Sequence, residues 1–272
     1  MYKDHPVCEL PDDETKIWRY MSLTKFVSLL HRQALFFGRV AGLQKDDPYE
    51  GAFPKNYDQP DLKRYFRQIG HADTVAVNCW HIGNYESAAM WKLYGDGGIA
   101  VQSTIGCLKK SFDRETREIY LGKVYYIDYE IDHLSSDEEN MLSLCLHKRP
   151  SFEHERELRA LMNLGPSPEV MLRQRERTIN YLKVHNLLPE EDEQRLIREQ
   201  QELTEQVEME LEKDETERYG TYVDVDLEIL LDQICIPPTS QPWIEEAVRS
   251  LVEKYGFDPS KVRHSRLLEP PT

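Results

Sequence analysis

Between Lys16 and Val40 the hydrophobic period of the chain changes twice, with almost no residues left for the joints. Lys16 to Ser22 (KIWRYMS) alternates and is rich in aromatic side chains, the pattern of a half-buried strand. From Leu23 to Gln33 the apolar residues Phe26, Val27, Leu29 and Leu30 recur at helical spacing, and Ser22 stands where a helix needs an N-cap. Ala34 to Val40 (ALFFGRV) then returns to a strand pattern. Strand, helix and strand in direct succession require a fold that mixes both element types. The reading of the whole chain is an α+β fold with a mixed, mainly antiparallel sheet and short helices.

Later segments extend this pattern. Lys45 to Gly51 carries the Asp, Pro and Gly of a turn, and Asp61 to Ile69 reads as a short basic helix. Thr74 to Trp80 reads as a strand, Ser87 to Tyr94 as a helix, Ile99 to Ser103 as a strand and Thr104 to Phe112 as a helix. Glu118 to Tyr129 (EIYLGKVYYIDY) is expected as one long aromatic strand and Asp137 to His147 as a helix. Phe152 to Leu161 fits either element type; as a strand it would set Glu153, Glu155, Glu157 and Arg159 on one face. Thr221 to Leu227, Gln233 to Pro237 and Lys261 to Leu267 read as strands, and Trp243 to Tyr255 as an amphipathic helix stopped at Gly256.

One segment departs in composition. Residues 165–218 hold 15 acidic and 8 basic side chains, a net of −7, against −15 for all 272 residues. Its narrow apolar stripe, broken at Pro189, reads as an inserted helical hairpin with a solvated acidic face. The expected organisation is an acidic tail (1–15), one α+β domain (16–164 and 219–268) and the hairpin (165–218), through which a homodimer could form. The negative charge opposes binding to a phosphate backbone, so nucleic acid is not an expected partner. Neither a membrane span nor a signal peptide is read in the sequence, and five dispersed cysteines fit reduced thiols, so the expected location is cytoplasmic.

Chemistry is densest from Asn78 to Val101, which holds Cys79, Trp80, His81, Glu86, Ser87, Met90, Trp91 and Tyr94. By residue type, Met90 and Trp91 suit a core, and Cys79 reads as a buried structural thiol beside a solvent-facing His81. Ser87 or Asn84 would cap the helix. Gly95-Asp96-Gly97-Gly98 is mis-spaced for a phosphate cradle and reads as a helix-to-strand turn. His71, His81, His147, His154 and the cysteines lack metal-ligand spacing, so no metal is expected. Glu155, Glu157 and Arg159 read most simply as a surface ion-pair row, and Asp47 as a turn cap, with Asp47, Glu50 and Arg39 also candidates for lining a cleft.

Taken in order, Trp18-Arg19-Tyr20-Met21-Ser22, Asp46-Asp47-Pro48-Tyr49-Glu50-Gly51, Cys79-Trp80, Glu86-Ser87-x-x-Met90-Trp91-x-x-Tyr94, Gly98-Ile99-Ala100, Glu155-x-Glu157-x-Arg159 and Ile236-Pro237-Pro238 resemble the bacterial domain-of-unknown-function family numbered 2971. Members usually carry Asn where Asp46 stands. Some resemble abortive-infection and mobile-element proteins, which implies a role in phage defence or toxin-type conflict. A second resemblance is to the ADP-ribosyltransferase fold, whose split sheets clasp NAD. Tyr20-x-Ser22, an aromatic shelf from Tyr94 or Trp91, and Glu155-x-Glu157 look similar to its three motifs. That resemblance implies Glu155, Glu157 and Tyr20 as catalytic residues, and Arg19, Ser22, Tyr94, Trp91 and His81 as NAD-binding ones. The leading expectation is therefore NAD-dependent ADP-ribosyl transfer. The alternative is a non-enzymatic protein-binding module or inhibitor that uses the cleft or the acidic hairpin.

Overall fold

A computed structural model describes residues 1–95, 97–134, 140–213 and 216–269. The opening segment folds as its periodicity dictates, into β1 (Lys16–Ser22), α1 (Leu23–Arg32) and β2 (Ala34–Arg39). Ser22 caps α1 by accepting from the Lys25 amide, and Gln33 ends it in the left-handed conformation with φ 51°. There follow α2 (Val40–Leu43), α3 (Pro60–Ile69), α4 (His71–Thr74), β3 (Val75–Ile82), α5 (Ala88–Tyr94), β4 (Gly98–Thr104) and α6 (Ile105–Ser111). Next come β5 (Tyr120–Lys123), β6 (Tyr125–Tyr126), α7 (Met141–Leu144), β7 (His147–Lys148), a 3-10 turn over Pro150–Glu155 and β8 (Glu157–Asn163). A helical pair, α8 (Pro168–Val184) and α9 (Glu190–Lys213), leads through α10 (Thr216–Tyr219) into β9 (Gly220–Asp224). The chain finishes with α11 (Leu227–Leu230), β10 (Gln233–Ile236), α12 (Pro242–Lys254) and β11 (Val262–His264).

Among the described residues nine strands form one sheet, antiparallel at every pairing except β10 with β11. It is the mixed, mainly antiparallel α+β architecture expected. β3 is its hub. Along one edge β3 pairs with β8 from Val75 to His81. On the other edge it is shared: β1 takes only its last residues, at His81 and Ile82, and β2 takes only Ala76 and Val77. Between them the sheet splits.

Strand alternation sorts side chains to two faces. One face carries the main core, where Ile17, Met21, Ala76, Trp80, Ile99, Val101, Leu158 and Met162 pack with α1, α6 and α12. The other face holds two small apolar clusters, one around Val75, Val77 and Leu161, the other around Trp18, Tyr20, Met90 and Trp91. His81 of β3 and Glu157 and Arg159 of β8 lie between those clusters.

Three expectations need correction. Glu118 to Tyr129 is not one strand: β5 pairs with β8, whereas β6 leaves that sheet to pair with β7. The expected helix from Asp137 is a single turn over Met141–Leu144; residues 137–139, like Asp96 in the expected glycine-rich turn, lie outside the described residues. Within Phe152 to Leu161 both element types occur, because Arg156, at φ 41°, ends the 3-10 turn and starts the strand. Glu153 and Glu155 thus lie before the strand, and the row on β8 keeps Glu157 and Arg159. Among the described residues no helix is long and apolar enough to cross a membrane.

Gly98 faces the β1 backbone so closely that a Cβ there would lie 2.0 Å from the Met21 carbonyl oxygen. Gly98→Ala should therefore lower unfolding stability by about 1–3 kcal/mol through forced separation of β1 and β4. Gly42→Ala, with open space around it, should leave the midpoint unchanged or raise stability by up to about 1 kcal/mol. Paired urea titrations measure both.

Candidate active site

The split in the sheet is held open by side chains. Arg19, at the centre of β1, reaches across it and donates from Nη1 to Asn78 Oδ1 and to the Cys79 carbonyl, each at 2.7 Å. Asn78 ties the opposite bank by donating to the Phe36 carbonyl at 2.9 Å, while its Oδ1 also accepts from Trp80 Nε1 at 2.8 Å. The backbone ladder missing between β1, β3 and β2 is replaced by these contacts. Arg19 thus points inward.

Beside the split lies a buried cluster of charge. Arg159 is fully buried. Its guanidinium forms two parallel bonds to Glu50, at 2.8 and 2.7 Å, and donates from Nε to Glu157 Oε1 at 2.8 Å and from Nη1 to the Cys145 carbonyl at 2.7 Å. Lys148 Nζ stands between three carboxylates, bonded to Glu155, 3.2 Å from Glu157 and 3.5 Å from Glu50. The Tyr126 hydroxyl accepts from the Glu157 amide at 2.9 Å. Nearby, Arg149 pairs with Asp47 at 2.6 Å and covers the Tyr49 ring. Asp47 Oδ1 also accepts from the Tyr49 amide, so the turn-cap role read from sequence is present alongside the ion pair.

The charges set one another's protonation. Burial pushes the Glu157 carboxyl upward, but the adjacent Arg159 and Lys148 cations outweigh it and hold the pKa at about 2. Burial pulls Lys148 down, and the glutamates more than reverse it, leaving the ammonium above its usual range. Burial, with the Glu157 charge beside it, keeps the Cys79 thiol protonated. Burial also depresses His81, whose Nδ1 lies 2.6 Å from the Glu155 carbonyl, a contact that suits a neutral ring donating from Nδ1. His81 is buried and Cys79 half-buried, the reverse of the sequence reading.

These groups border a cavity of about 380 Å³ on the face between the two small apolar clusters. Of the residues singled out from sequence, Arg19, Tyr20, His81, Tyr94, Glu155 and Glu157 all line it, as do Asp46, Asp47 and Glu50. The Tyr94 hydroxyl donates to Glu155 Oε1 at 2.7 Å from a half-exposed ring at the end of α5. Burial and the Glu155 carboxylate raise its pKa, so the phenol stays a donor. Tyr20 is buried and accepts from the Ser87 amide at 2.8 Å, so its hydroxyl anchors the start of α5.

Other candidates lie elsewhere. Ser22 caps α1. Trp91 packs edge-on behind Tyr20, with ring centres 5.1 Å apart, and donates to Glu86 at 3.0 Å. Glu86 in turn binds Ser265 and, at 3.2 Å, Arg263, away from the cleft. Arg39 donates to the backbone at Asp73 and Gly165. The ion-pair row expected at the surface is instead in the interior. Lys148, Phe152, Phe36 and Lys25 also line the cavity and were not read from sequence. Only Lys148 carried a signal: two glutamates and one arginine turned inward within five residues need a further cation. Among the described residues no group of three or more His, Cys, Asp or Glu is arranged to hold a metal ion.

Comparison with protein-family models, curated proteins and solved structures gave no match. The geometry itself must then carry the functional reading.

Glu50→Gln or Glu157→Gln leaves a buried cation undercompensated, and each should cost about 3–5 kcal/mol in urea unfolding. The acid limb of stability follows from Glu157. Its folded pKa of about 2 lies below the ordinary 4.5, so its contribution is complete above the unfolded value and is lost as pH falls from about 4.5 to about 2. Stability measured across that window should fall less steeply in Glu157→Gln than in the unsubstituted chain.

Proposed function

We propose that the cleft binds NAD and that the protein transfers or hydrolyses its ADP-ribosyl group. What supports this is one observation: Glu155 and Glu157 point into an aromatic-lined cavity shared with Tyr20, Tyr94 and His81, not along an exposed helix. The chemistry requires an ionised carboxylate near the ribose, an aromatic face for the nicotinamide and donors that fix its amide. In the reaction the C1′–N bond breaks and its electron pair leaves with nicotinamide. An acceptor hydroxyl, amine or water then bonds to C1′ and gives up its proton.

The two glutamates differ in how firmly they are held. Glu157 is engaged through both oxygens by Arg159 and Lys148, so its role is to fix the local field. Glu155 keeps one oxygen on Lys148 and the other on a half-exposed phenol, a bond that a ribose hydroxyl can replace. Glu155 is therefore the carboxylate assigned to the reacting centre, with Tyr94 at the mouth and Lys148 bonded to its other oxygen. Five free cysteines suit a cytoplasmic setting, where NAD is abundant.

Calorimetry with NAD, and chromatography for released nicotinamide, test this directly. Glu155→Gln should retain NAD binding and lose turnover by about 10²–10⁴-fold. Tyr94→Phe should change KM more than kcat. The proposal fails if the folded protein neither binds NAD nor turns it over.

A further inference from the structure

A second cavity, of about 410 Å³, lies between β1, α1, β2 and β9. Its walls are largely apolar, from Met21, Leu29, Leu35 and Tyr222, with Tyr219 of α10 at the side. Arg19, Lys25 and Phe36 line both cavities, so the two meet at these residues. The cations at this junction differ from those deeper in the cleft. Lys148 and Arg159 are each held by two or more carboxylates. Arg19 donates only to neutral acceptors, and among the described residues neither Arg19 nor Lys25 makes an ion pair. A half-buried guanidinium whose hydrogen bonds go only to neutral acceptors, with the Glu157 charge acting on it without an ion pair, would gain from an anionic ligand group.

We infer that the two cavities form one groove, in which Arg19 and Lys25 hold a phosphate-class anion of the ligand and the second cavity takes a flat, largely apolar group attached to it. The inference rests on reading the first cavity as the nicotinamide side of an NAD site, and it says where the other end of the dinucleotide goes. An anion approaches this chain against a net charge of −15, so its attraction must come from the local pair and must weaken with salt.

Three probes separate the two halves: NAD, ADP and nicotinamide mononucleotide, each titrated calorimetrically into the 272-residue chain. Ser28 borders the second cavity from α1, and Ser28→Trp would fill it. That variant should weaken NAD and ADP at least about tenfold and leave the mononucleotide within about twofold. Lys25→Glu, on an exposed position, should weaken all three, with the larger loss at low salt. Should Ser28→Trp fold poorly by circular dichroism, Tyr219→Ala at a half-exposed position replaces it, with a loss of about fivefold or more for ADP expected. NAD affinity unchanged by these substitutions, or equal loss of the mononucleotide, overturns the two-cavity groove and leaves the NAD reading standing. ADP binding without mononucleotide binding supports the groove and overturns the nicotinamide assignment. No binding of any probe overturns both.

Discussion

The fully buried Arg159 guanidinium is the interaction on which the rest of this site depends. Its placement in the middle of β8, opposite Cys79 of β3, puts a permanent charge inside the sheet's polar face. Desolvating it is unfavourable unless every donor finds an oxygen, and Glu50, Glu157 and the Cys145 carbonyl supply them. Those partners come from a turn 109 residues earlier, from the end of a short helix and from β8 itself. One cation therefore fixes the 47–51 turn, β8 and the end of α7 relative to one another. The resulting excess of carboxylate draws in Lys148, and Lys148 holds Glu155.

The split beside β3 follows from the same economy of hydrogen bonds. A strand edge left unpaired inside a sheet exposes carbonyl and amide groups that require partners. Arg19 and Asn78 provide them from their side chains, which lets β1 and β2 diverge without leaving the Cys79 carbonyl bare. A cavity and a cation then occupy the space a continuous ladder would have closed. The apolar clusters on either side keep this polar strip narrow.

How much of this could be read in the sequence depends on whether the deciding partner was local. β1, α1, β2, β3, α5 and β4 were legible because each carries its own period and, at α1 and α5, its own serine cap. The aromatic run from Glu118 was misread because its two halves answer to different partners: the Val124 amide bonds the Glu157 carbonyl and Tyr125 turns to β7. Alternation within Glu155-x-Glu157-x-Arg159 is the same on a surface and in an interior. What buries the row is Glu50, more than a hundred residues earlier, and Lys148, from a separate strand. The side-chain bond from Arg19 to the edge of β3 had no local signature either, since it exists only because two strands share that edge.

The buried network also explains why the two neighbouring glutamates are unequal. Removing a partner from Glu157 would expose a buried ion pair, a loss of about 3–5 kcal/mol, so an incoming ligand cannot compete for it. Displacing the Tyr94 phenol from Glu155 exchanges one neutral donor for another, at a net cost of about 1 kcal/mol or less. Of the two, Glu155 is the one with an exchangeable bond, because Lys148 secures one of its oxygens while the other faces a ring at the cavity mouth. That oxygen of Glu155 is thus held less firmly than either oxygen of Glu157.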